Sequence, residues 1–129
     1  MRPKVLFVDD DRRLLMGMAR SLRREPFELL TACDADEAQQ IVKRWAISLI
    51  VTDEHMPGRR GTELLAWMAQ ACPEAPRIVL TGSWDPETAV RAVNEGAVYR
   101  YFSKPVDLRK LAAAIRSGLQ HRAELASRV

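Results

Sequence analysis

A chain of 129 residues with 47% hydrophobic and 29% charged side chains is long enough to bury an ordinary core, and its composition excludes a disordered or fibrous protein. The net charge of +3 comes from dispersed Arg pairs such as Arg12 and Arg13, without the dense basic tract interleaved with aromatics that direct nucleic-acid binding requires. No apolar run nears the ~20 residues of a membrane span, the amino terminus runs straight into acids instead of a signal-peptide pattern, and Cys33 and Cys72 form no CxxC pair. A single cytoplasmic domain, with neither membrane nor nucleic acid as partner, is expected.

The first predicted element is a strand, Lys4 to Val8, closed by Asp9, Asp10 and Asp11. A helix follows from Arg12 to Arg24, with Leu14, Leu15, Met18, Ala19 and Leu22 on one face and Glu25 with Pro26 as its stop. Phe27 to Cys33 reads as a second strand. Asp34, with Glu37 three residues later, gives a capping-box pattern for a helix running to about Arg44. Ile47 to Thr52 is a wholly apolar third strand of the kind buried on both faces, and it ends on Asp53. Thr62 to Ala71 is helical, Arg77 to Thr81 is the fourth strand, and Asp85 with Pro86 caps a helix over Glu87 to Glu95 that Gly96 ends. Val98 to Ser103 makes the fifth strand, and Asp107 opens a long last helix. Strands alternating with helices imply an α/β fold: a flavodoxin-like, doubly wound (βα)5 sandwich around a five-stranded parallel sheet.

In such a sheet the carboxyl ends of the strands converge on one crevice where ligands bind. Strand one delivers Asp9 and Asp10, strand three Asp53, strand four Thr81 with Ser83 close behind, and strand five Lys104. Clustered carboxylates repel unless a cation sits among them. An oxygen-only donor set favours a hard ion such as Mg²⁺. With a lysine and a hydroxyl opposite a lone carboxylate, the set suits a phosphoryl group attacked in line by that carboxylate.

From Lys4 to about Gln120 these motifs resemble the receiver domain of two-component response regulators. Asp9 and Asp10 match the acidic pair; Asp53 with Met56, Pro57 and Gly61 matches the phosphoacceptor signature; Thr81 and the Lys104–Pro105 dipeptide match the rest. The resemblance implies that Asp53 accepts a phosphoryl group from a sensor histidine kinase, a phosphotransfer protein or a small acyl phosphate. It implies that Asp10, Asp53 and the main-chain carbonyl of His55 hold Mg²⁺, with Asp9 acting through water. Lys104 and Thr81 would bind the phosphoryl oxygens, and Tyr101 would follow Thr81 inward. The side chains of His55 and Ser83 match positions that tune phosphoryl lifetime.

Two departures stand out. Gly82 takes the place of the usual alanine, and GAVYRYFSKP carries one extra residue, a candidate bulge in strand five that leaves Tyr99 competing with Tyr101. Output is expected through the face of the predicted fourth helix, fifth strand and last helix, where a homodimer could form. The receiver unit spans 1–120, and 121–129 reads as a helical tail or the start of a linker to an output domain, with the chain a fragment of a longer protein.

Two other function classes compete. A metal-dependent phosphatase with an aspartyl nucleophile would use the Asp9-x-Asp11 pattern, but the residues that should follow it are absent. An interaction module independent of phosphorylation would not need the full acceptor set. The favoured protein is therefore a switch that catalyses only its own phosphorylation and dephosphorylation. GxxxxGK[ST] and GxGxxG are both absent, which disfavours nucleotide binding. Bland readings make Asp11 a helix cap and assign Trp45, Trp67 and Trp84 to packing, with Trp84 nearest the site.

Overall fold

In the computed structural model residues 2–82, 86 and 98–127 are described, with the side chains of 124–127 set aside. Five strands, β1 (Lys4–Val8), β2 (Glu28–Ala32), β3 (Leu49–Asp53), β4 (Arg77–Thr81) and β5 (Arg100–Ser103), form one parallel sheet in the order β2-β1-β3-β4-β5. Their described companions are helices α1 (Arg12–Ser21), α2 (Ala35–Arg44), α3 (Gly61–Ala71) and α4 (Leu108–Ser127). The predicted helix over 87–95, with its cap Asp85 and its terminator Gly96, lies outside the described residues.

The two-residue period of the strands sorts the core into two halves. Leu6, Val8, Ile50 and Val79 face one side, where they pack with Ala38 of α2 and Leu64, Leu65 and Met68 of α3. Val5, Phe7, Val51, Ile78 and Leu80 face the other, against Leu15 and Met18 of α1 and Leu111 and Ile115 of α4. Because helices cover both faces, β3 is buried at all five positions, its apolar Leu49 to Val51 followed by the buried polar Thr52 and Asp53.

Several boundaries differ from the sequence reading. Helix α1 ends at Ser21, a turn before the expected stop, because Leu22 leaves the helical region and a turn closed by Glu25 N–H to Leu22 C=O swings Phe27 into the core. The Arg2 guanidinium donates to the carbonyls of Glu25 and Phe27 and holds that turn. Strand β3 begins at Leu49 and extends to include Asp53; Ile47 is buried ahead of the paired stretch. At α2 the capping residues act as expected, Asp34 accepting from Glu37 N–H, but Glu37 reaches back to the amide of Cys33 and not to that of Asp34. The last helix continues to Ser127, so the described part of the tail is a helical extension.

The candidate bulge does not fall within the paired part of β5. Arg100 to Ser103 pair one to one with Ile78 to Thr81. Tyr99 and Tyr101 nonetheless lie on opposite faces, Tyr99 packing on the α1–α4 half of the core and Tyr101 on the other. Two residues apart in a regular strand would share a face, so the alternation breaks at Tyr99 and Arg100, where the Tyr99 amide already donates to Arg77 C=O of β4. The expected start at Val98 is thereby moved two residues on.

Candidate phosphoacceptor site

β1 and β3 are neighbours in the middle of the sheet, and their final residues bring Asp9, Asp10 and Asp53 together. A carboxylate oxygen of each lies within 4.8 Å of the others. Asp53 and Asp9 are buried, whereas Asp10 is exposed. From the end of β5 Lys104 Nζ reaches Asp9 Oδ2 at 3.0 Å and Asp53 Oδ1 at 3.1 Å. The other oxygen of Asp9 accepts from Asp11 N–H at 2.9 Å. Both oxygens of Asp9 are thus engaged, while Asp10 makes no hydrogen bond or ion pair among the described residues. Asp11 itself caps α1 by accepting from the amides of Arg13 and Leu14.

The electrostatics follow from burial. Desolvation pushes the Asp53 carboxyl above its ordinary range, Lys104 pulls it back by hydrogen bond and charge, and Asp9 and Asp10 add repulsion in the upward direction. For Lys104 burial favours the neutral amine, but hydrogen bonds and attraction from Asp9 and Asp53 outweigh it and leave the ammonium harder to deprotonate than usual. A carboxylate held under residual repulsion favours an added cation. The donor set fits Mg²⁺: three carboxylates with an exposed member, and no thiolate or imidazole in the cluster.

Thr81, at the end of β4, is 1% exposed and pairs with Ser103; its carbonyl accepts from Lys104 N–H at 2.7 Å. The hydroxyl position and the lysine are therefore locked to adjacent strand ends. His55 is exposed in the loop after β3. Tyr101 is half-buried on the face shared with Val79, while Tyr99 stacks on His121 and its hydroxyl lies 3.2 Å from Ser117 Oγ. Tyr99 thus packs against α4, and Tyr101 faces the other half-core. Ser83 and Trp84 lie outside the described residues. Trp67 packs on the core, but Trp45 is 46% exposed, flanked by Lys4 and Arg44.

Two residues were undervalued by sequence reasoning. A Cβ on Gly61 would stand 2.2 Å from the carbonyl oxygen of Asp53, so only glycine lets α3 start against the strand end. Glu54 is 4% exposed and accepts from Thr62 N–H at 2.9 Å. The available signal was Arg60: as N-cap of α3 it offers no side-chain acceptor, so the helix start had to borrow one.

The fold and this constellation place the chain in one class of α/β module: residues 5–116 match the family model of the response regulator receiver domain, and the chain belongs to that family. It is 41% identical over 101 residues, 78% of its length, to the hydrogenase transcriptional regulatory protein HoxA of Cupriavidus necator, of which it covers 21%. Among solved structures it is similar to the signal receiver domain of an HD domain-containing protein from Pseudomonas fluorescens Pf-5, with TM-score 0.90, 36% identity and coverage of 96% of this chain and 99% of that one. A Rhodopirellula baltica chain described as adenylate cyclase superposes with TM-score 0.93 at 35% identity, covering 99% of this chain and 95% of the other. The chain spans 21% to 27% of the length of the first curated relatives it matches. No described helix is long and apolar enough to cross a membrane.

Proposed function

We propose that this receiver domain is a Mg²⁺-dependent, phosphorylation-activated switch in which Asp53 is the acceptor. The observation that carries the reading is Lys104 Nζ placed between Asp9 and Asp53, beside the exposed Asp10. An oxygen of Asp53 attacks the phosphorus of a phosphohistidine or an acyl phosphate. A P–O bond to Asp53 forms, the bond to the donor nitrogen or oxygen breaks, and the donor leaves with that electron pair. Lys104 neutralises the transferred oxygens and Thr81 donates to one of them. Bound Mg²⁺ supplies charge neutralisation at the same oxygens, held by Asp10, Asp53 and the His55 carbonyl. Asp9, with both oxygens committed, acts through water. His55 and Ser83 stand at sequence positions that set how fast water later hydrolyses the acyl phosphate.

A sensor histidine kinase or phosphotransfer protein is the expected donor. An apolar groove between α1 and the start of α4, lined by Leu14, Met18, Pro105, Val106 and Leu108, opens beside Lys104 and suits a helix carrying the donor histidine. Phosphorylation biases a two-state packing of Thr81 and Tyr101 and alters the β5–α4 surface, through which an output domain or a second copy is engaged. Residues 1–120 act as the receiver, and 121–129 serve as a helical tail or the start of a linker, in a cytoplasmic setting. Intact mass after incubation with acetyl phosphate tests the reading. The wild type gains one phosphoryl group with Mg²⁺ and none with EDTA, and Asp53→Asn gains none. Catalytic turnover of external phosphate esters would instead favour a phosphatase.

A further inference from the structure

We infer that Glu54 is a positioning residue whose carboxylate, clasped to Thr62, holds the loop 55–60 in the form that presents the His55 carbonyl to a divalent cation. This rests on the phosphoacceptor reading above. One residue fastens both ends of the loop. Its amide donates to Leu80 C=O of β4 at 2.9 Å, and its own carbonyl accepts from Gly61 N–H at 3.0 Å. Its Oε1 accepts from Thr62 N–H at 2.9 Å, and both carboxylate oxygens stand 3.1 Å from Thr62 Oγ1.

Between those anchors the chain exposes His55, returns Met56 to the core and turns at Gly58, whose φ of +87° suits glycine. A second side-chain tether is the exposed pair of Arg59 with Asp36, which is worth little in water. Without the Glu54 carboxylate the loop keeps its backbone bonds and the packing of Met56 but loses its buried clasp to the start of α3. The Glu54 carboxylate has no ion-pair partner among the described residues and is held by donors at the start of α3, where the helix dipole favours it. Burying a charge there is a poor route to stability when an apolar pair would fill the space. Fixing the direction of the peptide that follows Asp53 is what the charge-assisted bonds achieve.

The test is Mg²⁺ titration by calorimetry on the full chain, with urea midpoints recorded for every variant. Glu54→Ala is expected to weaken Mg²⁺ binding about tenfold, within the range for residues that orient metal ligands. It should slow acetyl phosphate labelling at limiting Mg²⁺, with recovery at saturating Mg²⁺. Glu54→Gln, which still accepts from the Thr62 amide, and Thr62→Ser should bind close to wild type, and Thr62→Val should fall between. The double variant Glu54→Ala/Thr62→Val should be no worse than Glu54→Ala, since the two residues act as one unit. Ile115→Val, remote from the loop, lowers the urea midpoint but leaves Mg²⁺ affinity unchanged.

Unchanged Mg²⁺ affinity in Glu54→Ala, with a wild type that binds Mg²⁺ and takes label, overturns the inference alone. Equal weakening in Glu54→Gln also overturns it, because charge and not position would then be at work. A wild type that neither binds Mg²⁺ nor takes label overturns the proposed function and this inference together. If Glu54→Ala does not fold, Thr62→Val and Thr62→Ser decide by the same criteria.

Discussion

Asp53 and Lys104, paired at 3.1 Å, make opposite and coupled contributions to stability. The folded state raises the Asp53 pKa above 3.8, so the cost of ionising Asp53 sets in as pH rises above 3.8 and is complete above its folded value. Asp53→Asn is therefore expected to be more stable than wild type at pH 7, with the advantage shrinking as pH falls toward 3.8; thermal unfolding across that window checks it. For Lys104 the folded pKa lies above 10.5, so its stabilisation is complete below 10.5 and lost as pH rises through the folded value. Lys104→Met leaves two buried carboxylates without their cation and should cost about 2 kcal/mol at pH 7, less than a fully buried pair would because the lysine is partly exposed. Added Mg²⁺ should then recover more stability in Lys104→Met than in wild type. Equal Mg²⁺ responses in the two proteins would contradict the arrangement.

Among the elements, β3 and the start of α3 carry the constraint. Gly61→Ala drives a methyl into the Asp53 carbonyl, and moving α3 or the strand end to relieve it should cost about 1–3 kcal/mol and slow labelling, as paired unfolding and mass measurements would show. The strands and most helices were legible because apolar runs of five residues alternate with helical spacing. The end of α1 was not, because Leu22 continues the apolar period while its backbone turns to seat Phe27. Nor was the start of β5, because a break in alternation shows only once Tyr99 and Tyr101 are seen on opposite faces. The positions of Asp9, Asp10, Asp53, Thr81 and Lys104 were legible since each ends a strand of a parallel sheet. Glu54 was not, as its partner Thr62 lies across a loop whose closure no periodicity encodes.

For the whole molecule, the two half-cores share one central sheet, so unfolding is expected as a single transition. Mg²⁺ binding only the folded state should then raise its stability by about 2.7 kcal/mol at a hundred times the dissociation constant. Asp10→Asn should largely remove that gain while leaving the unliganded fold nearly unchanged, because Asp10 is exposed and makes no bond among the described residues. Metal-dependent and metal-free melting curves of the two proteins test this. The geometry of the site depends on where the strands end.

The most direct test is to phosphorylate the wild type with acetyl phosphate and Mg²⁺, reduce it with borohydride and sequence the peptides covering the ends of β1, β3 and β4 by mass spectrometry. Reduction of an aspartyl phosphate yields homoserine, and the account predicts it at Asp53 alone. Homoserine at Asp9 or Asp10, or a phosphoryl group retained on His55 or Thr81, would contradict it.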